Sequence, residues 1–222
     1  MPSDQNNTRF ESRQINDTLN RLQESKTSHT ILIYPNLRAL RKVYSKYLNI
    51  KIQKNRIVVI LPYYETVESV KKNLRLVTDS KQISFAENID VIKTENSILV
   101  FDSYDIMSYP SIQPMNVSSP TLSSHDIPII NFLSSTLAHA DNLNKDSVEF
   151  WIDMGPFFNS KLNIKYLLQY EKISSRLFKD TILRQYCLFH KRDFEIRLKD
   201  KQQNNVLDCH QKKIFMMDRP QP

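Results

Sequence analysis

The residues with most to say about chemistry stand around position 155. Gly155 is the one glycine of the chain and follows directly on the apolar run Val148–Met154. Loops that cradle phosphates need several glycines, because the backbone must turn with φ > 0 and come close to the anion. With one glycine, neither GxxxxGK[ST] nor GxGxxG can be drawn, and the nucleophile elbow GxSxG is excluded too. Ordinary nucleotide hydrolysis and a dinucleotide site are thereby disfavoured. Asp153 closes the apolar run. A carboxylate there can order the turn by capping a helix that begins at Pro156, contact a ligand, or hold Mg²⁺ beside a nucleotide.

The metal-ligating residue types are dispersed. Five histidines (His29, His125, His139, His190, His210) and two cysteines (Cys187, Cys209) form no HExxH pair, no CxxC knuckle and no disulfide framework. Both thiols read as reduced and structural. A zinc site would need long-range assembly, so neither metal nor cofactor is expected. Scattered Asp and Glu define no acid/base pair, and the chain reads as not an enzyme.

The elements that must position these residues follow from hydrophobic spacing. Continuous apolar runs at His29–Tyr34, Arg56–Leu61 and Val148–Asp153 read as strands covered on both faces. Leu183–His190 reads as another strand, Ile214–Met217 as the last, and Ile89–Ile92 and Ile98–Phe101 as short ones. On 148–153, alternation places Glu149, Trp151 and Asp153 on one face and Val148, Phe150 and Ile152 on the other. Helical spacing joins Leu37, Leu40, Val43, Tyr44 and Tyr47 after a capping Asn36. It joins Val67, Val70, Leu74 and Val77, and again Ile130, Leu133, Leu137 and Ala140. Pro156 opens a long helix to about Lys179, with Tyr166, Tyr170, Ile173 and Leu177 inward. Val206–His210 is a short helix. Residues 102–126, with three prolines and many serines between 108 and 124, read as a loop without a packed element.

The alternation predicts an α/β domain of three layers, a mostly parallel sheet flanked by helices. In such a sheet Tyr34, Pro62, Asp153 and His190 share the rim at the strands' carboxyl ends, where ligands bind. Tyr34, Asp153 and His190 are therefore the candidate pocket wall, with a satisfied structural histidine the favoured reading of His190.

Hydrophobic residues make up 40% of the 222, enough to bury a core. No apolar run is long enough to span a bilayer and the first residues lack a signal peptide's pattern, so a soluble cytoplasmic protein, without a membrane, is expected. The formal net charge of +7 admits acidic partners. Lys161, Lys165, Lys172, Arg176 and Lys179 fall within a 60° arc of the long helix at 100° per residue. That basic face is either solvated or a docking surface for an acidic protein or nucleic acid, as a transcriptional regulator would need. Residues 1–27 form a polar tail and helical arm, whose stripe Phe10, Ile15, Leu19 and Leu22 packs on its own domain or pairs two chains through residues 10–26. Residues 218–222 form a C-terminal tail.

Several short motifs carry a resemblance. They are His29–Tyr34, Asp153-Met154, Tyr170-Glu171, the run Tyr186-Cys187 to His190-Lys191-Arg192-Asp193-Phe194, and Leu207-Asp208-Cys209-His210. Together they resemble the MEDS (DcmR-type sensory) domain over residues 28–217. The resemblance implies a RecA/KaiC-like fold with a degenerate phosphate loop. It also implies sensing of a small organic ligand, such as a one-carbon or hydrocarbon derivative, in an archaeal or bacterial signal-transduction system. A kinase or transcription-regulator partner would then be addressed in trans. His29, at the head of the first strand, joins the candidate ligand-binding residues on this ground, and His210 matches a family position. The chain departs from the family at His190, where an acidic residue is usual, and in its turns, where Asn, Ser and Lys replace glycine.

Overall fold

All strand pairings of the sheet are parallel, in the order β3-β4-β2-β5-β6-β1-β7. The structure is a computed structural model that describes residues 3–24, 27–51, 55–75, 84–86, 97–108, 127–159 and 162–216. In chain order the elements are α1 (Ser3–Glu24), β1 (His29–Tyr34), α2 (Leu37–Lys51), β2 (Arg56–Leu61), α3 (Val67–Arg75), β3 (Ser84–Ala86) and β4 (Ser97–Val100). There follow α4 (Ser103–Ser108), α5 (Pro128–Asn142), β5 (Ser147–Asp153), α6 (Pro156–Asn159), α7 (Ile164–Leu177), β6 (Leu183–His190), α8 (Lys191–Arg197), α9 (Asp200–Asp208) and β7 (Lys212–Phe215).

The predicted three layers are present, because a sheet whose strands are apolar on both sides must be covered on both. One apolar layer joins α1, α2 and α3 to Leu32, Tyr34, Val58, Ile60, Trp151 and Leu188. The other joins α4 to α9 to Ile31, Ile57, Phe150, Ile152, Cys187 and Phe189. Alternation along β5 is as expected, with Trp151 on one face and Val148, Phe150 and Ile152 on the other. The α1 stripe Ile15, Leu19 and Leu22 is buried within its own domain. Arg21 of α1 donates to the Lys213 carbonyl at 2.6 Å, and Lys212 donates back to the Arg21 carbonyl, tying α1 to the edge strand β7.

Four sequence expectations change. Helix α1 begins at Ser3, inside the expected tail. The helix from Pro156 is two helices: Asn163 takes extended backbone and its side chain accepts from the Tyr166 N–H, starting α7 afresh. The inner face of α7 is Leu167, Tyr170, Glu171 and Ser174, while Leu177 is exposed. Polar Glu171 and Ser174 turn inward because partners await them on β1, β6 and β7's approach: Ser174 bonds Gln185, and Glu171 meets two histidines. The stretch from 102 holds a packed element after all, α4, with Ser103 and Met107 buried. The strand expected at 89–92, Val77, Lys161, most of the proline-rich stretch and residues 217–222 lie outside the described residues. No helix among the described residues is long and apolar enough to cross a membrane.

The single glycine is explained by packing. A Cβ at Gly155 would lie 2.1 Å from Cδ1 and 2.8 Å from Cγ of Tyr63, so the ring occupies the space a side chain would need. Its φ is not positive, so no unusual backbone is involved. Gly155→Ala is expected to cost about 1–3 kcal/mol in denaturant unfolding. In the double variant with Tyr63→Ala the two losses should sum to less than their separate values.

Candidate functional site

Two polar constellations form inside the fold, on opposite faces of the sheet. The first is at the carboxyl ends of the strands. Alternation sends Asp153 to the same face as Trp151, toward Tyr34 at the end of β1. The Tyr34 hydroxyl donates to Asp153 Oδ2 at 3.1 Å, and the Gly155 N–H donates to Oδ1 at 2.9 Å. Backbone N–H groups of Tyr63 and Tyr64 also bond this carboxylate. The Ser103 hydroxyl donates to the Asp153 carbonyl at 2.9 Å. One side chain thus gathers the ends of β1, β2 and β5. Burial pushes the Asp153 carboxyl up to about 7, against the opposing pull of those donors. Burial, reinforced by Asp153, raises the Tyr34 hydroxyl further still.

His190 closes β6 beside this group. Its ring stands edge-on to Tyr34, centroids 5.3 Å apart, and 5.5 Å from Tyr64. Nδ1 accepts the Arg192 N–H at 3.2 Å, capping α8, so Nε2 carries the proton in the neutral ring. Tyr64 bonds the Asp193 carboxylate, and Asn159 donates to the Tyr64 hydroxyl at 2.6 Å. Between these groups lies a cavity of about 370 Å³ lined by Leu37, Tyr64, Asn159, His190, Arg192, Asp193 and Arg197. Arg197 is held by the Phe158 carbonyl at 2.9 Å and Asp193 at 3.6 Å.

Tyr34, Asp153 and His190 are brought together at the rim, but of the three only His190 lines the cavity; Tyr34 and Asp153 are buried and bonded to each other. His29 is not part of this group. As the first residue of β1 it lies at the other end of that strand, on the opposite face with Ile31. Tyr64, Asn159, Arg192, Asp193 and Arg197 were not singled out from sequence as pocket residues. Tyr64 sits in a loop, Asn159 ends the short α6, and the other three lie in the short α8, whose polar run carries no periodicity to mark it.

The second constellation surrounds His29. Glu171 of α7, Cys187 of β6 and His210 after α9 complete it, and all four are buried. His29 Nε2 is 3.2 Å from Cys187 Sγ and 3.2 Å from Glu171 Oε2. His210 Nε2 is 3.3 Å from Glu171 Oε2, and Cys187 Sγ is 3.9 Å from the same oxygen. The two imidazoles lie against each other at 4.0 Å. Burial lowers the His210 pKa to about 4 despite Glu171, and raises that of Cys187. Cys209, half-buried, is pushed up to about 11, chiefly by burial. The expectation of dispersed histidines without a metal-ligating set is corrected here. Four positions spread from 29 to 210 meet because β1 and β6 pair directly and α7 and α9 pack over them.

Of the expected basic face, Lys161 lies outside the described residues. Lys165, Lys172, Arg176 and Lys179 are all exposed, the last just beyond the end of α7.

No protein-family model matches the sequence, and no curated protein matches it. Among solved structures the chain is similar to that of an arginase from Helicobacter pylori, with 12% identity, a TM-score of 0.43, and 88% of this chain and 74% of that one covered. The expectation that the chain is not an enzyme does not stand. It rested on finding no constellation of chemically competent residues, and the fold brings His29, Glu171, Cys187 and His210 together.

Asp153 supplies a measurable pH dependence. Its folded-state pKa is raised above the ordinary value of 3.8, so the folded chain binds the proton more tightly than the unfolded one. The stability this contributes is complete below about pH 4 and is lost as pH rises to about 7. The difference in unfolding free energy between wild type and Asp153→Asn should fall across that window and level off above it. A flat difference would mean that the carboxyl is ionised throughout.

Proposed function

We propose that the chain is a sensory domain that takes a small organic anion at the carboxyl rim of a RecA-like sheet and passes the bound state to a partner in trans. One observation carries the reading: the cavity opens where the topology switches. The helix after β1, α2, covers one face, and the helix after its neighbour β6, α8, contributes to the other. The same reversal separates α3 after β2 from α6 after β5. Crevices at such reversals are where open α/β sheets bind ligands. Leu37 and His190 line the cavity from the first pair of strands, Tyr64 and Asn159 from the second.

The lining narrows the ligand. Two guanidinium groups and a histidine Nε2–H donor face one carboxylate, Asp193, which already accepts from Tyr64 and pairs with Arg197. Arg192 is exposed at the mouth and suits a carboxylate or phosphoryl group, which its planar fork meets with two hydrogen bonds. The lack of glycine turns supports a ligand held by side chains rather than by a backbone phosphate cradle. The MEDS-like motifs support a small organic molecule as the signal.

Thermal unfolding across a panel of small carboxylates and phosphate esters tests the reading. A ligand present at a hundredfold its Kd should raise Tm by about 5–10 °C. Arg192→Gln, a change at an exposed position, should abolish most of that shift while leaving the unliganded Tm in place. A panel without a binder, or a shift that Arg192→Gln leaves intact, would remove the proposal.

A further inference from the structure

We infer that His29, Glu171, Cys187 and His210 form a closed, four-ligand site for a zinc-class divalent cation. The inference is independent of the rim cavity.

Hydrogen bonding fixes how the donors face each other. His29 Nδ1 lies 3.0 Å from the Cys209 carbonyl, and His210 Nδ1 lies 2.7 Å from the Val206 carbonyl. A carbonyl oxygen only accepts, so both Nδ1 atoms carry hydrogen, and in the neutral rings both Nε2 atoms present lone pairs. Those lone pairs point at Glu171 Oε2 and Cys187 Sγ. His210 Nε2 has no hydrogen-bond partner despite its 3.3 Å approach to the carboxylate, and Glu171 Oε1 has none either. Glu171 and the His210 side chain are wholly shielded from water. Bringing two imidazole lone pairs and a carboxylate together in a dry interior, with only the Cys187 thiol hydrogen to share, is costly unless a cation lies among them.

The spacing is that of a coordination shell. Zinc bonds of about 2.0–2.1 Å to nitrogen, 2.0–2.2 Å to oxygen and 2.3 Å to sulfur place tetrahedral donors roughly 3.3–3.7 Å apart. The separations here run from 3.2 to 3.9 Å for four of the pairs, and all donors lie within 4.8 Å of one another. The supporting shell is also of the expected kind, since a ligating histidine commonly donates its other N–H to a backbone carbonyl, fixing ring and tautomer. Two imidazoles, one thiolate and one carboxylate favour zinc over the hard cations magnesium and calcium. Binding displaces the Cys187 proton to solvent, leaving thiolate and carboxylate to balance the two positive charges. With four protein ligands and no exposed edge, the site ties β1, β6, α7 and the turn between α9 and β7 into one unit.

Cobalt(II) is the probe that reads this geometry. The full chain, dialysed against chelator and titrated with cobalt, should take up one ion per molecule. It should show the intense visible bands of tetrahedral cobalt and a thiolate-to-cobalt charge-transfer band. Cys187→Ser should lose the charge-transfer band, and Cys209→Ser should keep it. His210→Gln should weaken cobalt binding at least tenfold and abolish the rise in Tm that zinc gives the wild type. Circular dichroism checks that each variant is folded, and His210→Gln decides alone if Cys187→Ser is not. A folded wild type that takes up no cobalt overturns the inference, as does cobalt bound without the charge-transfer band or with equal affinity in His210→Gln. Each of those results would leave a shared proton between the histidines and Glu171 as the organising charge.

Discussion

A parallel sheet buried on both faces leaves no solvent to satisfy a polar side chain inside it, and that constraint shapes everything else in this molecule. β1, β2 and β5 are buried along their whole length. Each polar group they carry inward must therefore find its partner within the two helical layers. Glu149 finds Arg56 from the neighbouring β2, next to the bonded hydroxyls of Tyr47 and Tyr186 at 2.8 Å. Asp153 finds Tyr34 and the turn that follows it. Glu171 finds two histidines whose other nitrogens are already committed. The last of these groups has only the Cys187 thiol, at 3.9 Å, as a donor beside the two neutral rings, and that singles it out among the three.

The same constraint separates the two constellations. Alternation along β1 sends His29 and Tyr34 to opposite faces, and the length of the strand sends them to opposite ends. The rim group faces α2 and a cavity; the donor cluster faces α7 and α9 and is sealed. β6 serves both, with Cys187 inside and His190 at its end. The paired strands β1 and β6 are therefore the elements that the two groups share.

Much of the scaffold was legible because burial on both faces writes itself as uninterrupted apolar runs. His29–Tyr34 and Arg56–Leu61 are strands with the expected bounds, and Leu183–His190 likewise. The rim residues Tyr34, Asp153 and His190 followed from strand ends alone. What escaped was short or polar. α8 is made of charged residues around Phe194, and α4 lies in a serine-rich stretch where apolar spacing is absent. The break before α7 depended on Asn163, one capping residue within a helix-like pattern. The donor cluster escaped because its members are brought together by strand order, which local spacing does not encode. A signal did exist in Glu171, which falls between Leu167 and Ser174 at inward helical spacing, where an unpaired carboxylate is not tolerated.

The clasp between α1 and β7 has a consequence for how the protein keeps to itself. Among the described residues β7 is the last strand on its side of the sheet, its outer backbone unpaired within the sheet, and it carries a half-exposed Phe215. Such a border is a template onto which a foreign strand can zip. Arg21 occupies the Lys213 carbonyl, and Lys212 reaches back across to α1, so a main-chain acceptor that an intruder would use is already taken. The amino-terminal helix is thus a guard against unwanted polymerisation as well as a cover for the core.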